Sequence, residues 1–215
     1  RGLEQFLREP DLKSENPVVL MEMTLRHLAV GEIIEERDFL HRADTLSALG
    51  KPLLISNFRR YHRLASYLSR YTDRPIGLAL GASKLGEIFD ESFYNENEGG
   101  LLGGLGQLFK NPARLYVHPS LNLKTREVTT GDLFPVTPHL RHLYHYLLEN
   151  RFIESIRNFD APLLPIRSRE VLARIHSGDA GWEKLVPATI VEIIKRDRLF
   201  GFQAGHELAG AQPSP

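Results

Sequence analysis

The densest chemistry in this 215-residue chain lies just after Ser56-Asn57, where Arg59, Arg60, His62 and Arg63 follow one another. Tyr61, Leu64, Ala65, Leu68 and Tyr71 recur at helical spacing, which predicts a helix over 58–71 with the basic residues in its first turn and a half. Cations there oppose the positive end of the helix dipole, at about 0.3–1 kcal/mol each. An anion bound at that end relieves the conflict and gains backbone N–H donors, and phosphate is the obvious candidate. The competing explanation is a solvated face screened by salt or paired with carboxylates elsewhere. A second basic helix start is expected at Arg167-Ser168-Arg169-Glu170. There Ser168 serves as an ordinary N-cap, or meets a phosphate beside Arg169, or both.

Two further patterns carry less. His139, His142 and His145 repeat every third residue, but helical geometry spreads them over about 120° away from the Leu140–Leu143–Leu147 stripe, which favours a solvated face over a metal box. The segment Gly99 to Gly106 lacks the G-K-[S/T] ending of a phosphate loop and the G-x-G-x-x-G order. It is read as a turn or a close helix-packing surface, with backbone approach to a ligand as the alternative.

These residues must be positioned by a scaffold. Leu53-Leu54-Ile55, Pro75 to Leu80 and Leu115-Tyr116-Val117 read as short strands, separated by helical runs at 58–71 and after Ser83. That alternation predicts an α/β fold: a Rossmann-like three-layer domain with a mostly parallel sheet, flanked by N-terminal and C-terminal helices. Ligands of such sheets sit outside the carboxyl ends of the strands. The three ends are Ser56-Asn57, Gly81-Ala82-Ser83 and His118-Pro119-Ser120, although turns and caps favour the same residue types. Residues 1–50 are expected to form a helical segment, with a polar periphery at 1–16 and a helix over 17–30 carrying Val18, Met21, Leu25 and Leu28. The α/β domain is expected to span 51–202, with strong helices after Thr137-Pro138 and Pro187, a short strand at Leu163-Leu164, Trp182 as a core anchor, and a disordered tail at 203–215.

Composition narrows the class. With 27 basic and 27 acidic residues the formal charge is zero, which argues against a general nucleic-acid binder while leaving room for a local basic patch. No cysteine is present, so disulfides and thiolate metal sites are excluded, and a cytoplasmic setting is the expectation. No apolar run approaches the roughly 18 residues of a membrane span, and no membrane partner is expected. The chain starts at Arg1, and a fragment of a longer protein, with an upstream domain or a homo-oligomeric partner, is the expectation.

The stretch from Ile166 to Phe200 resembles the end of the nicotinate-nucleotide adenylyltransferase family. There an I-S-S-T-x-I-R turn opens a helix that holds ATP phosphates, and an L-V-P turn opens a final helix. Ile166, Ser168 and Val171 match the first motif, while Arg167, Arg169 and Leu172 replace its first serine, threonine and final arginine. Leu185-Val186-Pro187 matches the second, followed by Ile190, Ile193, Ile194 and Leu199-Phe200. Phe58 and His62 have the spacing of the phenylalanine and first histidine of the family's G-T-F-D-P and H-x-G-H signature; Leu64 and Ala65 stand where its glycine and second histidine would be. The resemblance extends to longer bacterial proteins sharing this ending. It implies adenylyl transfer from ATP to a pyridine mononucleotide, in NAD biosynthesis, with Mg²⁺. His62 would contact the transferring phosphate, and Ser56, Asn57, Arg59, Arg63, Gly81, Ser83, Ser168 and Arg169 would hold the nucleotide. A non-catalytic module that senses a nucleotide or binds a protein is the alternative, and a different transferase using the same crevice is a third.

Overall fold

The computed structural model describes residues 1–9, 16–25, 29–30, 33–34, 36–110 and 112–203; Leu28 and most of the expected tail lie outside them. In chain order the elements are α1 (Gly2–Phe6), β1 (Met21–Thr24), β2 (Ala29–Val30), β3 (Ile33–Ile34), α2 (Glu36–Ser47), β4 (Leu53–Ser56), α3 (Tyr61–Leu68), β5 (Ile76–Gly81), α4 (Ser83–Ile88), α5 (Gly100–Phe109), β6 (Ala113–His118), β7 (Ser120–Leu121), β8 (Val128–Thr129), α6 (Arg141–Glu149), β9 (Ile153–Ser155), α7 (Ser168–Ser177) and α8 (Ala188–Asp197), with short 3₁₀ turns between them. The fold is α/β with mostly parallel strand pairs. The chain divides into two compact units, the first of residues 1–18 and 58–165, the second of residues 19–57 and 166–215.

The first unit is built on a parallel sheet of order β5-β6-β9, with Leu80 opposite Val117 and Val117 opposite Ser155. Alternation along the strands sorts their side chains between two faces. Leu80, Leu115 and Val117 enter the main core with Leu85, Leu105, Leu108 and Tyr144. On the other face Gly77 lies under Phe6 of α1, whose ring stands edge-on to Tyr116 at 5.8 Å. A Cβ at Gly77 would lie 2.9 Å from that ring, so only glycine admits this approach. The expected polar periphery at 1–16 is therefore corrected: Phe6 is core, and Glu9 is a buried carboxylate, 3% exposed, held by Arg114 and by Arg151 at 2.7 Å. Buried charge is tolerated there because it is paired.

The glycine-rich segment forms α5. Gly104 faces the buried Tyr94, and a Cβ there would fall well inside contact distance of the ring. Gly104 thus serves close packing, one of the roles the sequence offered. The strand expected at Leu163-Leu164 is corrected: Ala161–Leu163 is a 3₁₀ turn, and the strand lies earlier, at β9. Proline at position 162 removes a ladder donor, which disfavours a strand there.

The second unit pairs β1 with β4 in parallel, Met21 opposite Leu53 through Thr24 opposite Ser56. The helix expected over 17–30 is thereby corrected, because residues 16–20 are irregular and 21–24 are strand. Apolar residues three and four apart in a short run fit either structure until a partner strand decides. Val171, Ile175, Trp182, Ile190, Ile194 and Leu199 form this unit's core, with α7 closed by Gly178 in the left-handed conformation (φ 73). Trp182 is fully buried, the anchor its sequence context implied.

Candidate anion-binding site

The start of α3 lacks a side-chain cap. Arg60 occupies the N-cap position in an extended conformation (φ −125, ψ 134), and its guanidinium lies 3.7 Å from the centroid of the Phe93 ring. The Arg60 side chain makes no cap bond to the first turn, whereas a Ser, Thr, Asp or Asn at that position usually would. Leu64, Ala65 and His62 turn inward, and the period of the helix then sends Arg63 outward. Arg59 and Arg63 are exposed, and no described carboxylate pairs with either. Among the described residues, the pairing alternative weighed from sequence is therefore not met for these two.

His62 is 3% exposed, its ring 5.4 Å from that of Tyr94 and tilted by 32°. Nδ1 is buried with no hydrogen-bond partner. Burial first, and then the charges of Arg63 and Arg60, hold its pKa below the ordinary value of 6.5. The imidazole is therefore neutral at neutral pH. Burial also pushes the Tyr94 hydroxyl up to about 12, and that hydroxyl donates to the Ile88 carbonyl at 2.7 Å.

Gly81 and Ser83 sit at the carboxyl end of β5. Gly81 stands opposite His118, the Ala82 N–H donates to the His118 carbonyl at 2.8 Å, and Ser83 is the exposed first residue of α4. Ala65 of α3 and Ala82 share the same core cluster, so both candidate segments border it.

The same end of the sheet carries a pair that sequence reasoning missed. The Asp132 N–H donates to the Ser155 hydroxyl at 2.9 Å, and that hydroxyl donates back to the Asp132 carboxylate. The bond from Ser155 is the main reason the Asp132 pKa lies below the ordinary carboxylate range. Tyr144 braces this loop by donating to the Gly131 carbonyl. A Gly-Asp pair after a polar connection reads as a turn, and only the pairing of β9 brings Ser155 to it.

The remaining candidates belong to the second unit. Ser56 ends β4, is buried, and donates to Glu22 at 2.5 Å, so its hydroxyl is engaged within the strand pair. Asn57 beside it is exposed. Ser168 is the first residue of α7, exposed, with Arg167 as the N-cap and no side-chain cap bond. The expected Ser168 cap is corrected, because the helix begins one residue too early for its hydroxyl to reach back over the first turn. Arg169 is exposed, and Glu170 pairs with Arg174 at 2.7 Å rather than with it. Four of the expected ligands, Ser56, Asn57, Ser168 and Arg169, therefore fall in one unit, and Arg59, His62, Arg63, Gly81 and Ser83 in the other.

His139 pairs with Glu91 at 2.7 Å and His145 with Glu149 at 3.1 Å, all on exposed surface. Among the described residues no group of three or more His, Cys, Asp or Glu could hold a metal ion, and no helix is long and apolar enough to cross a membrane. No family model matches the chain, and neither a curated protein nor a solved structure matches it.

Proposed function

We propose that this chain is a nucleotide-binding protein of Rossmann-like, three-layer design, in which the start of α3 receives phosphate oxygens. One observation carries the reading: two exposed arginines, Arg59 and Arg63, share an uncapped helix start where no described carboxylate compensates them. Cations at that end are unfavourable alone and favourable around an anion. Arg59 and Arg63 hold phosphate oxygens, and Gly81 and Ser83 border the same core at a strand end, where small residues leave space. Ser168 and Arg169 form a separate helix start able to hold a phosphate in the same way.

In the enzymatic form of this reading, the phosphate of a pyridine mononucleotide attacks the α-phosphorus of ATP and pyrophosphate leaves. Magnesium, arriving with ATP, would neutralise charge on the phosphates. The chain's own contribution is then positioning and charge stabilisation by Arg59 and Arg63. The second reading is a non-catalytic nucleotide sensor. It is favoured by His62, whose neutral, buried ring faces Tyr94 and is poorly suited to meet a transferring phosphate.

Calorimetric titration with ATP and Mg²⁺, followed by a pyrophosphate assay with nicotinate mononucleotide, separates these. Nucleotide binding that weakens about tenfold in Arg63→Ala is expected, since a charge-assisted bond is worth roughly 1.5–3 kcal/mol. Pyrophosphate release that falls in Arg59→Ala and Arg63→Ala selects the enzyme. Binding without pyrophosphate selects the sensor. Absence of binding, or affinity unaltered in both Arg59→Ala and Arg63→Ala, refutes the proposal.

A further inference from the structure

The basic character of α3 does not stop at its first turn. Residues 58–74 hold five arginines (Arg59, Arg60, Arg63, Arg70 and Arg74) against one acid, Asp73, in a chain whose net charge is zero. Helical bonding runs past Leu68: Ser69 N–H donates to Ala65 at 2.9 Å, Arg70 N–H to Tyr67 at 3.1 Å, and Tyr71 N–H to Leu68 at 2.9 Å. Residues 63, 67, 70 and 71 therefore share one face, opposite the buried His62 and Ala65.

That face alternates charge and aromatic surface. Phe58 and Tyr67 lie 5.1 Å apart, Tyr67 and Tyr71 also 5.1 Å, and Tyr71 is 73% exposed. Arg63 and Arg70 flank the ladder, exposed, and no described carboxylate pairs with Arg70 either. A tyrosine pair four residues apart can simply brace a helix end. It does not account for the arginines on the same face, Arg63 and Arg70, that no described carboxylate meets.

We propose that this face of α3 binds single-stranded nucleic acid, with Tyr71 stacking on a base, the half-buried Tyr67 bracing its ring, and Arg63 and Arg70 meeting phosphates. Exposed rings spaced along a cationic strip are the requirement for single strands, whose bases offer their faces; a duplex hides them. An acidic peptide would satisfy the arginines and leave the rings unused. The site goes beyond the mononucleotide reading and shares Arg63 with it, so the test relies on Arg70 and Tyr71.

Fluorescence anisotropy with labelled oligo-dT and oligo-rU of about 15 nucleotides tests it, over roughly 50 to 200 mM salt. Neutralisation of two phosphates, by Arg63 and Arg70, gives a log–log salt slope of about −1.4 for single strands. Arg70→Glu and Tyr71→Ala are each expected to weaken binding about tenfold, and Tyr71→Phe, which keeps the stacking face, to restore it. All three should melt like the parent protein and bind ATP as it does. Oligonucleotide binding with no ATP binding would leave this proposal standing and remove the mononucleotide reading alone. It is overturned by the absence of an anisotropy change, by affinity indifferent to Arg70→Glu and Tyr71→Ala, by preference for a duplex, or by loss of ATP binding in step with loss of the oligonucleotide.

Discussion

Replacing His62 by leucine measures what a buried, unpartnered imidazole does. The side chain is 3% exposed, packs against Tyr94, and leaves Nδ1 without a partner. Leucine has a similar volume, and such swaps usually cost under about 1.5 kcal/mol. The removed nitrogen carried an unsatisfied-group penalty of roughly 1–3 kcal/mol. At about pH 7.5, where both states hold a neutral ring, His62→Leu is thus expected within about 1 kcal/mol of the parent protein, on the stable side if either. Lower pH separates them. The unfolded imidazole takes up its proton near 6.5, whereas the folded one resists because of burial and then Arg63 and Arg60. The unfolded state therefore binds more protons, so parental stability is complete above that value and falls as pH drops below it. One pH unit below 6.5 the loss has a ceiling of RT ln 11, about 1.4 kcal/mol, and salt screening of the two arginines keeps it lower. Urea unfolding of both proteins at about pH 7.5 and 5.5 gives the difference, and His62→Leu should gain on the parent by up to about 1 kcal/mol over that interval. Stability curves that run parallel across this range, or a loss above about 3 kcal/mol at neutral pH, would show that Nδ1 has a partner and the ring is not neutral packing.

Gly104→Ala should destabilise by about 1–3 kcal/mol, because its methyl group meets the Tyr94 ring, whereas Gly106→Ala, with nothing within 4 Å, should stabilise by about 0.5–1 kcal/mol; thermal melts compare them. Glu9→Ala leaves Arg114 without its carboxylate, while Arg151 keeps Glu154, and should cost about 2 kcal/mol, read as a lowered urea midpoint. Ultraviolet titration should find the hydroxyls of Tyr94 and Tyr116 ionising near about 12, both raised chiefly by burial.

Local patterns were decisive where they were long or strongly punctuated. The helix at Tyr61–Leu68, the strands at Ile76–Gly81 and Ala113–His118, and the two C-terminal helices follow from periodicity, proline placement and the glycine after Ser177. So does the outward course of Arg63, since the apolar stripe of α3 fixes the opposite face. One four-residue segment escaped: Met21–Thr24 has the spacing of a helix and becomes a strand because Leu53–Ser56 lies beside it. His62 has the type and position of a phosphate ligand, yet Tyr94, brought against it by the close approach of α5 at Gly104, makes it core.

The residues alone determined the class of fold, the crowding of positive charge at one helix start, and which helix faces turn outward, because each depends on neighbours a few positions away. Which strands pair, whether a carboxylate quenches an arginine, and whether an imidazole meets solvent depend on groups tens of residues distant. Asp132 meeting Ser155 and Glu9 meeting Arg151 are of this second kind. Only packing brings such groups within hydrogen-bonding range, and only there do desolvation and pairing energies exceed local propensity.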